Sequence, residues 1–241
     1  MNEDRFVQCQ KQLAQVKKEF EEFVYLVSHD LNAPIRAISN LLGWISEDLG
    51  PNIPDDVQQN IKLLQDRAQR LEKMLSAILA LSRVSRTNLE TGYIELPAFL
   101  ENISEKYRNN NSFITIQAEP IGFTTYYQKL SAVINELLTN ALKHSDKELT
   151  TIQLTATRVN NFLQLLITDN GSGFAPEIQE RIFSLFYTAR SKEETENIGA
   201  GLTVARSITN FAGGNLTINQ AKAGEGSSFI LLWPLHILET T

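Results

Sequence analysis

Apolar residues recur every three or four positions along the first fifty residues, which is the spacing of one face of an α-helix. The pattern predicts a helix from Phe6 to about Asp48. Its first half carries a row that steps by 3, 4, 3 and 4, as the a and d positions of a coiled coil do. Two interpretations stay open for this row, a core helix of a monomeric bundle or a coiled coil in a dimer; the row comprises Leu13, Val16, Phe20, Phe23 and Val27.

A second helix is predicted after a break at residues 50–54, where glycine and two prolines interrupt the pattern. It begins near Asp55 and extends to about Thr87. Two long helices joined by a short loop form an antiparallel hairpin. Because each helix carries an apolar row, we expect two hairpins to associate as a dimeric four-helix bundle. The row of the second helix comprises Val57, Ile61, Leu64, Ala68, Leu71, Leu75 and Ile78.

Shorter elements follow, and strands mix with helices without a regular βαβ rhythm. We therefore expect an α+β fold after the hairpin: an α/β sandwich with helices on one face of a mixed, mostly antiparallel sheet. Residues 151–157 and 162–168 are predicted to pair as a hairpin. The predicted strands are 93–96, 113–117, 121–124, 151–157, 162–168, 215–219 and 228–233, and the predicted helices are 97–107, 128–143, 176–186 and 202–211.

Composition narrows the class of protein. A length of 241 residues suits one large or two ordinary domains, and 42% hydrophobic with 21% charged residues is typical of a globular protein. A net charge of −6 without a basic block argues against nucleic acid as the main partner. Cys9 is the only cysteine, which fits a reducing compartment and excludes a Cys/His metal cluster. With no signal peptide and no apolar run of roughly 20 residues, we expect a cytoplasmic protein without direct membrane insertion.

The first candidate for chemistry is the stretch Ser28-His29-Asp30-Leu31-Asn32-Ala33-Pro34, which lies inside the first predicted helix. It places a histidine beside a carboxylate on an expected helix surface. Pro34 removes one backbone hydrogen bond and should bend the helix about one turn after His29. Taken alone, His29 could equally be a solvent-facing helix histidine.

Polar side chains form a single stripe on the predicted helix 128–143. Glu136, Asn140, Lys143 and His144 are spaced i, i+4, i+7 and i+8, opposite an apolar face. The stripe could be a solvated outer face. However, asparagine disfavours helix interiors, and its amide oxygen is a suitable ligand for Mg²⁺, which takes few protein ligands.

Two glycine-containing loops follow. Asp169-Asn170-Gly171-Ser172-Gly173-Phe174 comes directly after an apolar strand, where an aspartate could accept a hydrogen bond from an exocyclic amine such as that of adenine. Asn197-Ile198-Gly199-Ala200-Gly201-Leu202 opens a helix, and free N–H groups at a helix start suit phosphate. An ordinary turn and an ordinary helix cap are the alternatives. Between them, residues 188–197 are polar, include Arg190 and Lys192, and could form a lid or a plain loop.

Together, the motifs resemble those of a sensor histidine kinase of two-component signalling. Residues 29–34 are similar to the phosphoacceptor box, in wording closest to the phytochrome-type kinases, and residues 136–145 match the N box. Asp169-x-Gly171-x-Gly173 is similar to the adenine-recognition motif of the family. Further matches are Phe183 and Phe186 before the lid, Gly199-Ala200-Gly201-Leu202 in the later glycine box, and residues 224–229 before the last strand. The resemblance extends from about residue 20 to residue 234.

The resemblance implies a coiled-coil entry helix and a dimerisation and phosphotransfer hairpin in residues 1–90, and a Bergerat-type ATP-binding domain in residues 91–241. On this basis His29 is the nucleophile that takes the γ-phosphoryl group of ATP, since a largely neutral imidazole is available near pH 7. Asp30 accepts the proton or orients the ring. The implied ATP-binding residues are Asn140, which also holds Mg²⁺, Lys143 facing phosphate, His144 beside adenine, Asp169 reading the adenine amino group with Gly171 and Gly173, and Gly199 and Gly201 bordering the phosphates.

Three positions depart from the family pattern. Glu136 stands where many members carry asparagine, and it would either act as a base or only support Mg²⁺. Asn197 replaces the first glycine of the later glycine box, which bears on lid closure. Ala33 stands four residues after His29, where many members carry a residue that orients water, and this puts phosphatase activity in doubt.

The implied partners are a second copy of the chain, the receiver domain of a response regulator, and an input domain placed N-terminally or on another chain. The alternative function is a dimeric docking scaffold that binds a response regulator through the hairpin and has a degenerate ATP site. Asn197 and Ala33 favour that alternative. An ATP-driven clamp is a third interpretation, favoured only by Glu136, and the box around His29 argues against it.

Overall fold

The computed structural model describes residues 2–50, 54–109, 111–188, 198–222 and 224–237. The chain divides into two compact units, Met1–Arg83 and Val84–Thr241. The functional assignment of residues 1–90 and 91–241 to phosphotransfer and ATP binding stays a prediction. None of the helices in the described ranges combines the length and apolarity that crossing a membrane requires.

The first unit is the predicted helical hairpin. Helix α1 covers Asn2–Leu49 and continues through Pro34, and helix α2 covers Asp55–Ser82. Two aspartates lie in the first turn of α2, where carboxylates favour the positive helix end. Helix α2 ends five residues before the predicted end at Thr87. Arg83 caps the helix, and the backbone turns after it. The bend predicted at Pro34 stays a prediction.

The hairpin is held together by a heptad row of small and aliphatic side chains. Ser28, Ile35 and Leu42 of α1 are each at most 8% exposed. The matching buried positions of α2 also recur every seventh residue; they are Ile61, Ala68, Leu75 and Ser82. A side-chain hydrogen bond also joins the two helices, from Ser39 Oγ to Glu72 Oε1 at 3.0 Å. The spacing of seven is that of a seam between two long helices.

A second apolar row of the hairpin remains exposed within a single chain. Leu31, Ile38 and Ile45 of α1 are each about half exposed, as are Leu64 and Leu71 of α2. Toward the N-terminus, the row predicted as a coiled-coil seam is more exposed still, with 62–69% of Leu13, Val16, Phe20 and Phe23 accessible.

The second unit contains a five-stranded sheet of strand order β2-β4-β5-β7-β6. Strands β2 and β4 are parallel, and every other neighbouring pair is antiparallel. This confirms a mixed, mostly antiparallel sheet, and β4 and β5 form the predicted hairpin. A separate antiparallel pair joins β1 to β3. The strands are β1 Gly92–Glu95, β2 Ser112–Ala118, β3 Gly122–Thr125, β4 Thr150–Val159, β5 Phe162–Asp169, β6 Asn215–Lys222 and β7 Gly226–Pro234.

Three helices provide the other half of the core. They are α3 Leu96–Glu105, α4 Tyr127–Lys143 and α5 Gly201–Phe211. Alternate residues of the central strands are buried against them, as in Leu163, Leu165 and Ile167 of β5. Trp233 of β7 is fully buried, and its indole Nε1 donates to Thr125 Oγ1 at 2.7 Å, which ties the two sheets together.

The prediction of one helix over residues 176–186 was wrong. The structure has two short 3₁₀ helices, Pro176–Ile178 and Arg181–Phe183. Ser184 is extended and Phe186 has a φ of +65°, so a continuous helix is not possible here. The chain is instead fixed by Phe183, which is buried and whose carbonyl accepts the Thr203 hydroxyl at 2.9 Å.

Candidate functional site

His29 lies on the solvent side of α1, one residue after the buried Ser28. Its side chain is 70% exposed, and that of Asp30 is 80% exposed. Nδ1 of the imidazole is 3.2 Å from Asp30 Oδ1. The neighbouring Asn32 donates from Nδ2 to the Ser28 carbonyl at 2.9 Å, so its amide is turned back onto the helix. An exposed imidazole with one nitrogen engaged by a carboxylate suits nucleophilic chemistry at the other nitrogen.

In the second unit, Asp169 is the last residue of β5 and is only 8% exposed. Its Oδ1 accepts hydrogen bonds from the backbone N–H of Gly171 at 2.9 Å and of Ser227 at 3.2 Å. Burial raises the pKa of the Asp169 carboxyl, and these two amide donors lower it in part. Both described bonds use Oδ1, so Oδ2 is the oxygen left to meet a ligand.

Three segments converge around Asp169. The Asp169 carbonyl lies so close to Gly226, at the start of β7, that a side chain there would overlap it. The Ser172 carbonyl accepts a hydrogen bond from the Gly224 N–H at 2.7 Å, and the Ser172 Oγ donates one to the His144 carbonyl at 3.0 Å. The loop after β5, the end of α4 and the turn before β7 therefore form one connected edge of the sheet.

Helix α4 carries the predicted polar stripe. Glu136 and Lys143 are exposed as residues, and Asn140 is half-buried. Partial burial raises the pKa of the Glu136 carboxyl, and the charge of Lys143 lowers it to a smaller extent. His144 caps the helix, and its N–H donates to the Asn140 carbonyl at 3.1 Å.

The start of α5 packs against this stripe. A side chain at Gly201 would overlap the Glu136 carboxylate, so glycine lets this carboxylate lie directly against the start of α5. Gly199 has a φ of +69°, and a side chain there would overlap the Tyr187 carbonyl. Its own carbonyl accepts the Phe186 N–H at 2.9 Å. The glycines thus fix where the N-terminus of α5 stands relative to α4.

The structure brings together all of the residues that were predicted to bind ATP in the second unit, along α4, the loop after β5 and the start of α5. His29 and Asp30 lie in the other unit. Arg190, Lys192 and Asn197, on which the predicted lid depends, lie outside the described residues. Sequence reasoning missed Ser172, which links two of the predicted segments; its place between two glycines was the available signal.

The Ser227 N–H was also missed as a donor to Asp169. A pattern of side chains in the sequence does not predict a hydrogen bond from a backbone N–H that lies 58 residues away. Residues 224–229 had been singled out only as the last turn before the final strand.

This arrangement, a helical hairpin followed by a mixed-sheet domain with a glycine-bordered edge, defines an ATPase-type kinase core. Residues 21–87 match the family described as His Kinase A (phospho-acceptor) domain. Residues 125–237 match the family described as histidine kinase-, DNA gyrase B- and HSP90-like ATPase. Together, the two matches identify the chain as a member of the histidine kinase family, with a phospho-acceptor domain followed by an ATPase domain.

Individual relatives agree. The chain is 29% identical to cyanobacterial phytochrome B of Nostoc sp. (strain PCC 7120), over 94% of this chain and 31% of that protein. It is 26% identical to the methanogenesis regulatory histidine kinase FilI of Methanothrix harundinacea, over 90% of this chain and 25% of that protein. The chain thus spans no more than about a third of these relatives.

Among solved structures, full-length ShkA in complex with AMPPNP superposes with a TM-score of 0.64 at 18% identity, over 90% of this chain and 46% of that one. This likeness confirms the fold.

Proposed function

We propose that this chain transfers the γ-phosphoryl group of ATP to His29. The observation that carries the proposal is the exposed His29 imidazole, whose Nδ1 is 3.2 Å from Asp30 Oδ1. With Nδ1 engaged, the lone pair on Nε2 attacks phosphorus, an N–P bond forms, and the bond between the γ-phosphorus and the bridging oxygen breaks to release ADP. Asp30 orients the ring and receives the proton of Nδ1 as positive charge develops.

ATP is proposed to bind along the connected edge of the second unit. Asp169 Oδ2 accepts the adenine amino group, and His144 lies beside the base. The backbone at Gly171 and Gly173 allows the base to come close, and that at Gly199 and Gly201 borders the phosphates. Lys143 faces phosphate on the exposed end of α4. The buried Asp169 carboxyl, held by two amides, supports this assignment, because a fixed acceptor discriminates well between bases.

Mg²⁺ fits the donor set on α4. Asn140 offers an amide oxygen, and the Glu136 carboxylate lies one helical turn away on the same stripe. Mg²⁺ prefers such oxygen ligands and completes its shell with water and phosphate. Asn140 would hold the ion, which neutralises phosphate charge. Glu136 would either support the ion or act as a base; its approach to Gly201 suits both roles.

A second copy of the chain and a response regulator are the proposed partners. The exposed row of the hairpin, Leu31, Ile38, Ile45, Leu64 and Leu71, is apolar on both helices, as the seam of a four-helix bundle requires. The phosphoryl group would then pass from His29 to an aspartate of a receiver domain. An input domain, N-terminal or on another chain, would act through the exposed coiled-coil row of α1.

The alternative is a docking scaffold with a degenerate ATP site. Ala33, which cannot orient a water one turn after His29, is the residue in the described hairpin that favours it. A scaffold need not bind nucleotide, so the affinity for ATP separates the two functions.

The test is to incubate the purified chain with Mg²⁺ and γ-labelled ATP, beside His29→Gln and the control His236→Gln, which alters another exposed histidine. We expect acid-labile, alkali-stable label on the wild type and on the control and none on His29→Gln. Equal label on His29→Gln would exclude His29 as the acceptor. Absence of both label and ATP binding in the wild type would favour the scaffold.

A further inference from the structure

Two residues of the hairpin form a row of contacts that leads to the His29 ring. Tyr25 lies one helical turn before His29 on α1, and their ring centroids are 6.2 Å apart with planes inclined by 31°. Arg83 caps the far end of α2, and its guanidinium carbon lies 4.9 Å from the centroid of the Tyr25 ring. A positive charge is therefore connected to the acceptor histidine through one aromatic ring.

The backbone holds both residues in place. Tyr25 and His29 are four residues apart, so their side chains share one face of α1. The Arg83 N–H donates to the carbonyls of Leu79 and Ala80 at 3.1 and 3.3 Å, which anchors it to the last turn of α2. Its guanidinium crosses from α2 to an aromatic ring on α1. Arginine suits such stacking because its charged group is planar.

We propose that Tyr25 and Arg83 are positioning residues for phosphoryl transfer at His29. Tyr25 restricts the tilt of the imidazole, and Arg83 fixes the Tyr25 ring and places a permanent positive charge near the incoming phosphoryl group. The proposal rests on His29 being the acceptor.

The physical need for such a pair follows from the exposure of the acceptor. The His29 side chain is 70% exposed, and its described polar contact is with Asp30, which is also exposed. A freely turning ring spends little time aligned with the phosphorus atom, and productive alignment accounts for much of the rate of such reactions. The Asp30 carboxylate also repels a phosphoryl group, and the charge on Arg83 opposes that repulsion.

The rate of autophosphorylation should depend on the Tyr25 ring and on the charge of Arg83. We expect Tyr25→Leu and Arg83→Gln each to lower kcat for autophosphorylation by about 3- to 10-fold, since a stacked cation–π contact and ring alignment are lost. KM for ATP should not change, because the candidate ATP-binding residues lie in the other unit. Tyr25→Phe should retain most of the rate, and Arg83→Lys, which keeps the charge but lacks the planar group, should fall between the wild type and Arg83→Gln.

The control is Arg67→Gln, which removes the same charge from an exposed site on α2 about 24 Å away along the helix. The double variant Tyr25→Leu with Arg83→Gln should be slower than Tyr25→Leu, because the charge is also lost, but by less than the product of the two single effects, because part of the Arg83 effect passes through Tyr25. Circular dichroism and light scattering establish that each variant keeps its helices and its mass.

A second assay separates this inference from the proposed kinase activity. Potassium phosphoramidate phosphorylates histidine without ATP, and the ³¹P NMR signal that is absent in His29→Gln gives the rate at His29 separately from that at His144 and His236. Slower labelling in Tyr25→Leu and Arg83→Gln, with normal labelling in Arg67→Gln, would support the inference even if ATP gave no label. Wild-type rates with both donors in these variants, or an equal loss in Arg67→Gln, would overturn it.

Discussion

Replacing Asp169 by asparagine should weaken ATP binding while leaving the domain at least as stable. The substitution changes one buried carboxylate oxygen into an amide NH₂ and keeps the shape of the side chain. Oδ1 of the asparagine can still accept from Gly171 and Ser227, whose N–H groups lie 2.9 and 3.2 Å from it in the wild type. The group that faces the ligand becomes a donor.

The loss of affinity can be worked from that one contact. A hydrogen bond to a charged acceptor contributes about 1.5–3 kcal/mol, which is about 10- to 150-fold in Kd. The amide NH₂ would also oppose the adenine amino group, donor against donor, so the upper part of that range is expected. Guanine carries a carbonyl oxygen where adenine carries its amino group. Asp169→Asn should therefore bind GTP and ATP with more similar affinities than the wild type does.

The stability of the same variant depends on pH. Burial raises the pKa of Asp169 above its usual 3.8, so the folded state favours the neutral carboxyl. The ionised carboxylate therefore destabilises the wild type fully above the folded pKa, and this cost disappears as pH falls below 3.8. Asparagine carries no charge and has no such dependence. The variant should gain free energy of unfolding relative to the wild type near pH 7, and the gain should shrink toward pH 3.

Calorimetric titration with ATP and GTP gives the affinities, and urea unfolding of the nucleotide-free protein at several pH values gives the stabilities. Unchanged ATP affinity in Asp169→Asn would refute the assignment of Oδ2 to the base. A variant that lost affinity together with stability at pH 7 would show that Asp169 only holds the loops together. Asp66→Asn, which makes the same change at an exposed carboxylate in the other unit, is the matched control.

Two further predictions concern packing. Gly201→Ala should keep the fold, because only the end of the Glu136 side chain has to move, but should lower kcat by displacing that carboxylate; Gly43→Ala, which meets no neighbour within 4 Å, is the control, and equal kinetics in both variants would contradict the role of this contact. Lys129 is 2% exposed, donates to the Val84 carbonyl and lies over the Phe211 ring, and burial lowers the pKa of its ammonium. A lowered folded pKa means that stability rises with pH from that value up to 10.5, so urea unfolding should show this rise in the wild type and not in Lys129→Met.

The hairpin was predictable because its energetics are periodic. In α2, burial recurs every seventh residue at Ile61, Ala68 and Leu75, three members of the apolar row predicted from the spacing. The buried row of α1, Ser28, Ile35 and Leu42, was not predicted, because it begins with a polar residue. The end of α2 was not predictable. Helical spacing continues past Ser82, yet Val84 is buried in the core of the second unit. The tertiary structure decides in which of the two cores an apolar side chain is buried, and the local spacing of apolar residues does not predict it.

The segment 176–186 failed for a related reason. Its composition allows a helix, but Phe183 must reach the core, where its ring meets Phe229 edge-on at 6.5 Å and the Arg206 guanidinium lies 4.5 Å from its centroid. Phe186 has a φ of +65°, and its N–H donates to the carbonyl of Gly199. These contacts come from residues at least 13 positions away along the chain, and they outweigh helix propensity, which is weak per residue.

The candidate site divides in the same way. Side-chain chemistry could be predicted, because an aspartate after an apolar strand and a polar stripe on a helix leave a signature in the sequence. The backbone contacts of the site could not be predicted, and they make most of its described hydrogen bonds. Two backbone amides donate to Asp169, and the carbonyl of His144 accepts from Ser172. Such groups are present in every residue, so only the fold decides which of them converge.

Glu136 illustrates what that convergence adds to a sequence motif. The sequence alone left two roles open for Glu136, that of a base and that of a support for Mg²⁺. In the structure its carboxyl is partly desolvated beside the first residue of α5, and Lys143 offsets only part of that cost. The N-terminus of α5 carries partial positive charge, so a carboxylate and a phosphate group would compete for it. Both roles require the ionised form, and phosphate nearby would oppose ionisation. A divalent cation between the two anions resolves that conflict, so the geometry favours the supporting role over the base.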